Sequence, residues 1–356
     1  MKIVFCGLSI TSSWGNGHAT NYRALVRELS ARGHEVLFLE RDMPWYASER
    51  DLPEPPWGRT ALYGSLEELE EHAGDVAAAE LVVIGSFVPE GVAVAEWALE
   101  HAEGTIAFYD IDTPVTLGKL RRGDTEYLTP DLVSRFDLYL SFTGGPTLEM
   151  LEGEFGARRA LAFYCLVDPV AYRPLQETPH WDLGYLGTYS DDRQPVLERL
   201  LLEPARQRDE FEFEFAVAGP QYPEEIEWPQ NVERIEHVAP GDHPGFYAAQ
   251  RFTLNVTRAQ MRAAGWSPSV RLFEAAACAV PVISDRWDGL EEIFTPGEEI
   301  LVADSAEDVI RYLTETGEDK RLAIGERARA RVLAEHTAER RCEQLEAEVA
   351  GAVGAA

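Results

Sequence analysis

Two successive series of short, predominantly apolar runs, each interleaved with amphipathic helical stretches, constrain this chain more than any other feature. In the first series, residues 3–8, 35–39, 81–86 (LVVIGS), 105–109 and 138–142 are apolar segments of strand length. Between them, residues 19–32 place Tyr22, Leu25, Val26 and Leu29 at helical spacing before Gly33, and residues 65–71 and 92–101 are further helical stretches. A strand without polar alternation must be buried on both faces, which predicts a parallel sheet with helices on either side. The second series follows Pro174, with strands over 183–187, 211–218, 252–256, 280–284 and 300–302 and helices over 196–206, 270–277 and 306–314. Residues 319–350, rich in Ala, Arg and Glu, predict one or two long helices.

The predicted fold class is therefore α/β, with two doubly wound Rossmann-like domains. Residues 1–169 form the first and 170–335 the second; 336–356 form a terminal helix that packs back on the first domain. Residues 170–178, which contain Pro174 and are flanked by Pro169 and Pro179, are the expected linker, and Pro53-Glu54-Pro55-Pro56 an expected surface loop. A chain of 356 residues suits two cores of roughly 150–180 residues each. Ligands of such sheets bind beyond the carboxyl ends of the strands, so the expected site is a cleft between the two domains.

Composition excludes several classes of function. The formal net charge is −30, a field that repels phosphate backbones and anionic lipid, so nucleic acid is not an expected partner. An anionic substrate must be held by local devices such as helix N-termini and single arginines. No apolar run approaches the roughly 20 residues that span a bilayer, so stable membrane insertion is not expected. Met1-Lys2-Ile3-Val4-Phe5 enters a strand at once, without space for a signal peptide, and a cytoplasmic location is expected. Cys6, Cys165, Cys278 and Cys342 form no CxxC pair and read as small thiols in a reducing compartment, with no zinc spacing.

The chemistry concentrates in Ser267-Pro268-Ser269-Val270-Arg271-Leu272-Phe273-Glu274-Ala275-Ala276-Ala277-Cys278-Ala279-Val280-Pro281-Val282-Ile283-Ser284, which reads as loop, helix, turn and strand. The helix begins near Ser269, where free N–H groups of Ser269 and Val270 suit a diphosphate. Glu274, one turn further in, has the two acceptor oxygens that a ribose diol needs. Its alternative role is support of the helix dipole.

These residues carry a resemblance. EAAACAVPVIS resembles the EAxACGxPVIxS signature of family 4 GT-B glycosyltransferases, which implies a ribose-binding Glu274 and diphosphate-binding amides before it. Val167-Asp168 with Tyr172 and Pro174 resembles the VDxxxFxP segment of that family, Asn231-Val232 with Ile235 its NVxxx strand, and Gly289 and Glu291 its downstream loop. The similarity runs from Val167 to about Glu292. Over its whole length, FYDIDTPVT and SFTGGPT included, the sequence is most similar to CgeB-like glycosyltransferases. The resemblance implies a GT-B fold, a nucleotide-sugar donor, retention of anomeric configuration and no essential metal. One departure stands out: where the family has a first glutamate that contacts the donor sugar, this chain has Trp266.

Further candidate residues follow the strand ends. Gly187-Thr188 resembles the first donor-domain loop, and Arg193 is a candidate diphosphate ligand or else a surface arginine at a helix start. Gly219 matches a cleft turn, and His237 stands where the family backbone meets the nucleotide base. In the first half, Trp14-Gly15-Asn16-Gly17-His18 enters a helix, and His18 is a base, a sugar ligand, a phosphate donor or a structural loop histidine. Asp110 and Asp112 flank Ile111 at a strand end; one of them is expected to act as a base or to stabilise positive charge, unless they serve as a helix cap and a loop tie. Ser141-Phe142-Thr143-Gly144-Gly145-Pro146 is a further loop on the acceptor side.

The function these readings predict is transfer of a sugar, from a UDP-sugar by first choice, to an acceptor the sequence does not identify. Two alternatives were weighed: a nucleotide-sugar 2-epimerase of the same fold, and a non-catalytic nucleotide-sugar-binding protein, which Trp266 favours.

Overall fold

The computed structural model describes residues 1–14, 17–207 and 212–355. The chain divides into two compact units, one of Met1–Leu166 with Ala338–Ala356 and one of Val167–Thr337. Each unit is a parallel sheet with helices on both faces.

In the first unit the strands are β1 (Lys2–Gly7), β2 (Glu35–Arg41), β3 (Arg59–Tyr63), β4 (Leu81–Gly85), β5 (Thr105–Asp110), β6 (Leu138–Ser141) and β7 (Ala160–Ala162). They lie in the order β3-β2-β1-β4-β5-β6-β7 and every pairing is parallel. β4 and β5 are buried along their whole length, which is why they read as uninterrupted apolar runs. The helix His18–Ala31 buries Tyr22, Leu25, Val26 and Leu29. Tyr22 packs edge-on against Phe5, Phe38 and Tyr109, so one helix face and three strands share a single aromatic centre. Strand order reverses between β1 and β4, the position where doubly wound sheets open a crevice.

The helix Ala338–Ala355 completes this unit. Arg32 forks onto Glu346 at 2.6 and 2.8 Å, His34 Nε2 lies 2.7 Å from the same carboxylate, and Arg159 forks onto Glu348. Arg341 also donates to the carbonyl of Tyr164. Both ends of the chain are thus built into one unit.

The second unit contains β8 (Trp181–Leu186), β9 (Phe215–Ala218), β10 (Val232–Ile235), β11 (Gln250–Asn255), β12 (Val282–Ser284) and β13 (Leu301–Val302), in the order β10-β9-β8-β11-β12-β13, again all parallel. Its reversal lies between β8 and β11. Leu183, Tyr185, Phe215, Val217, Phe252 and Leu254 fill the core with Leu200, Leu201 and Leu202.

Several elements differ from the sequence reading. The helix expected over 196–206 is divided into Gln194–Leu197, a wide π-type turn at Glu198–Leu202, and Glu203–Arg206. β3 and β7 were not anticipated: both are short outer strands, and β3 has no apolar run to announce it, whereas β7 opens the apolar run over 160–167 that the sequence reading passed over. The start of the strand expected from residue 211 lies outside the described residues, and β9 begins at Phe215. The stretch over 319–350 forms two helices, Glu318–Glu335 and Ala338–Ala355. All four cysteines are buried and none is in a disulfide. No helix among the described residues is long and apolar enough to cross a membrane.

Candidate functional site

In the second unit, the loops after β8, β9, β11 and β12 bring polar groups together at the strand ends. Gly187 donates to the carbonyl of Ala218 at 2.8 Å, and Gly219 holds φ +140°. A Cβ at Gly219 would stand 2.1 Å from the carbonyl oxygen of Gly187. Glycine is required here because the two backbones approach this closely. Arg193 lies over the first loop, with Nη2 donating to the carbonyl of Thr188 at 2.6 Å and Nε to Ser190 Oγ at 3.2 Å. Arg271 reaches the same place from the helix Val270–Ala277. Its Nε donates to the carbonyl of Leu186, its Nη1 lies 3.2 Å from Asn255 Oδ1, and its guanidinium stacks 4.9 Å above the Tyr185 ring.

Neither Arg193 nor Arg271 forms an ion pair with a carboxylate among the described residues. Burial, followed by the neighbouring charges of Arg271 and Arg258, pushes the Arg193 guanidinium below its ordinary value, with Tyr185 acting in the opposite sense. Cations gathered at a cost in desolvation and mutual repulsion are what an anion site requires. The helix end beside them points the same way. Ser269 is the N-cap residue, yet its hydroxyl donates to Asn255 Oδ1 at 2.7 Å instead of capping, so the first turn has no side-chain cap. Its N–H groups remain for a ligand.

Glu274 lies on the same helix and is 5% exposed. Its Oε2 accepts from the Tyr247 hydroxyl at 3.0 Å, and His243 Nδ1 is 3.8 Å away. The Tyr172 hydroxyl is in turn 3.3 Å from His243 Nδ1. Burial alone would push the carboxyl up, but the polar groups of His243, Tyr172 and Tyr247 around it outweigh burial and hold the group below its usual range. Glu274 is therefore a charged acceptor on a fixed rotamer. His237 follows β10 and is exposed. Among the described residues, no group of three or more His, Cys, Asp or Glu side chains could hold a metal ion.

In the first unit, β5 ends at Asp110 and the next helix, Thr113–Arg121, has Asp112 at its N-cap position. The two carboxylates differ sharply. Asp110 is fully buried; its Oδ2 accepts from the Tyr139 hydroxyl at 2.5 Å, and its Oδ1 from Thr116 at 2.7 Å and from the N–H of Asp112 at 3.3 Å. Burial pushes its carboxyl up to about 6 against the pull of those bonds. Asp112 is partly exposed, with Oδ2 3.9 Å from His18 Nε2. The His18 ring meets Phe87 edge-on at 5.5 Å, and Phe87, in the loop after β4, holds φ +62°, a backbone position that bulky residues rarely adopt. Ser141 Oγ ties the loop after β6 to Thr113 at 2.8 Å and to the carbonyl of Thr143 at 2.7 Å. Of the loop leading to His18, Gly15 and Asn16 lie outside the described residues.

Residues 193–347 match the model of a family described as glycosyl transferase-like. Among solved structures, the chain is similar to sucrose-phosphate synthase from Thermosynechococcus elongatus, with 14% identity, a TM-score of 0.69 and complete coverage of both chains. It is also similar to Anabaena HepE in complex with UDP and glucose, with 15% identity and a TM-score of 0.71 over 99% of this chain and 100% of that one. The chain has the GT-B glycosyltransferase fold. A third GT-B relative, an α-glucosyltransferase in complex with UDP and a 13-mer DNA, is 12% identical with a TM-score of 0.67 over 98% and 99% of the two chains. No curated protein matches the sequence.

Within this GT-B chain the structure brings Gly187, Thr188, Arg193, Gly219, Ser269 and Val270 to neighbouring loops of one sheet, with Glu274 on the adjoining helix. In the other unit it brings His18 beside Asp112 and encloses Asp110. Sequence reasoning missed Arg271, although it lies inside the segment singled out and three residues before Glu274, a spacing that shares a helix face. It also missed His243 and Tyr247, which have no local signal, and Glu40. Glu40 is fully buried and accepts from the hydroxyls of Ser9 and Thr11 and from the N–H groups of Ile10 and Thr11, holding the loop after β1 in shape.

Proposed function

We propose that this chain is a family 4-like glycosyltransferase of the CgeB-like group that takes its sugar from a nucleotide-sugar donor, UDP-sugar first, with retention of configuration and without an essential metal. The observation that carries the proposal is the pair of partly buried arginines, Arg193 and Arg271, without carboxylate partners beside the uncapped helix start at Ser269 and Val270. The developing charge of a leaving diphosphate is stabilised there by backbone N–H groups and guanidinium groups, which removes the need for a cation. Glu274, held ionised, accepts from the ribose diol. The complexes of HepE with UDP and with UDP-glucose support a donor of this kind.

In this reading His18 and Asp112 act at the sugar and acceptor, with Asp110 ordering the loop that carries Asp112. A histidine and a carboxylate at adjoining strand ends suit proton transfer or stabilisation of positive charge at the anomeric carbon. His237 is assigned to the nucleotide base. The acceptor is not a nucleic acid, because the net charge of −30 opposes one.

The test is a thermal-shift screen against UDP-, GDP-, dTDP- and ADP-sugars. A donor at 100 times its Kd stabilises the folded state by about 2.7 kcal/mol. Release of nucleotide diphosphate from the stabilising donor is then followed with and without EDTA. Slow release that survives EDTA is the expected result. Complete loss with EDTA, restored by magnesium or manganese, overturns the metal-free mechanism, and binding without any release favours a non-catalytic binder.

A further inference from the structure

Residues 86–90 join β4 to the helix Gly91–His101, and two of them, Phe87 and Glu90, hold left-handed backbone positions, with φ +62° and +55°. Neither residue type favours that region, and such positions persist only where their surroundings impose them. Three contacts impose them here. Ser86 Oγ accepts from the N–H of Ile111 at 3.1 Å, which ties the loop to the one that carries Asp110 and Asp112. Glu90 Oε2 pairs with Arg41 Nη2 at 2.9 Å. Gly91 lies so close to the segment before the helix Pro130–Val133 that a Cβ on it would stand 2.7 Å from the Cβ of Tyr127.

What the strained loop holds in place is the Phe87 ring. Its centroid lies 4.6 Å from that of Tyr127 on one side and 5.5 Å from that of His18 on the other. The Tyr127 hydroxyl is 2.9 Å from Thr116 Oγ1, which donates to Asp110 Oδ1 at 2.7 Å. The same Asp110 oxygen accepts from the N–H of Asp112, and Asp112 Oδ2 stands 3.9 Å from His18 Nε2. His18, Phe87, Tyr127, Thr116, Asp110 and Asp112 therefore close one circuit drawn from separate segments of the chain, and Phe87 is the member that joins its hydrogen-bonded part to the imidazole. A phenylalanine kept for the core would be fully buried on an ordinary backbone position, whereas Phe87 is partly buried on a costly one.

We infer that Phe87 is a positioning residue of the reaction: its ring, held by the strained loop, fixes the rotamer in which His18 Nε2 faces Asp112. The inference rests on the reading of His18 and Asp112 above and goes past it, because it assigns a role to a side chain that moves no proton itself. An imidazole at the first residue of a helix has other staggered rotamers open to it, and each of them turns Nε2 away from Asp112. Time spent in those rotamers is lost to a step that needs the group in one place. The backbone cost at Phe87 is what keeps the ring against the imidazole.

The test follows release of nucleotide diphosphate by the full chain from whichever of UDP-, GDP-, dTDP- and ADP-glucose stabilises it most. Phe87→Ala and Phe87→Gly should each lower kcat about tenfold, the order of one ring contact, and leave the nucleotide diphosphate Kd within about threefold. Phe87→Tyr keeps a ring at the same place and should retain most of the rate. Glycine suits φ +62° and alanine does not, so Phe87→Gly should unfold at a higher urea concentration than Phe87→Ala although both lack the ring. The deciding measurement is the double variant: in a His18→Ala background, Phe87→Gly should change the rate by less than about twofold, because nothing is left to position. A tenfold loss that persists in that background overturns the inference, as does a wild-type rate in Phe87→Gly beside a slow His18→Ala. Phe87→Gly no more resistant to urea than Phe87→Ala overturns it too, by removing the strain. Wild-type rates in His18→Ala, or a wild-type chain that releases nothing, overturn the reading of His18 itself and the inference with it.

Discussion

Replacing Arg193 by methionine separates an arginine kept for a ligand from one kept for the fold. In the free protein the change removes two charge-assisted hydrogen bonds, to the carbonyl of Thr188 and to Ser190 Oγ, worth about 1.5–3 kcal/mol each. It also removes a guanidinium that burial and the nearby Arg271 and Arg258 charges disfavour. The desolvation of a buried ion costs several kcal/mol, roughly the size of the two bonds lost, and methionine fills the space of the aliphatic stem. Unfolding in urea should therefore give a stability within about 1 kcal/mol of wild type. Nucleotide diphosphate binding should behave differently, because the anion is what repays the buried charge. Loss of one charge-assisted contact weakens it by about 1.5–3 kcal/mol, or about 10- to 150-fold in Kd by calorimetry. An Arg193→Met variant that loses more than about 3 kcal/mol of stability while binding nucleotide diphosphate as well as wild type would refute the reasoning and make Arg193 a structural residue.

Glu274→Ala should weaken nucleotide diphosphate binding by about 1.5–3 kcal/mol, and unchanged affinity by calorimetry would remove Glu274 from the site. His18→Ala and Asp112→Asn should lower turnover strongly while nucleotide diphosphate affinity stays within about threefold, the pattern of a lost transition-state contact. Asp110→Asn should keep most of its turnover; near-normal rates in all three variants would make the whole cluster structural. Asp110 has its folded-state pKa raised from 3.8 to about 6, so it favours the fold while protonated and loses that contribution as pH rises through this window. Wild-type stability should accordingly fall relative to Asp110→Asn by an amount on the order of 3 kcal/mol between about pH 4 and pH 6, and parallel stability curves for the two proteins would count against the shift.

Features that depend on neighbours along the chain were legible in the sequence. The apolar runs of β1, β4 and β5 announce strands buried on both faces, and the two series of them announce two parallel sheets. The step from Ser267-Pro268-Ser269 into a helix is local too, because a polar, proline-containing loop before an apolar period marks a helix start wherever it stands. What the sequence could not order was the partnership of groups far apart in it. Asp110 and Asp112 are indistinguishable as letters, and only the placement of Tyr139 and Thr116 around Asp110 leaves Asp112 as the one beside His18. Arg271 lies in a conspicuous segment, yet its bearing on the loop after β8 comes from Leu186, 85 positions away. The same holds for Tyr247 and Glu274, which are 27 positions apart. The outer strand β3 was invisible for a related reason: a strand half-open to solvent needs no apolar run, and its identity comes from the edge it pairs with. Periodicity and capping act within a few residues and so are written locally, whereas hydrogen-bond partners, buried charge and the exposure of a carboxylate are set by which distant segments the packed sheets bring to the same strand ends.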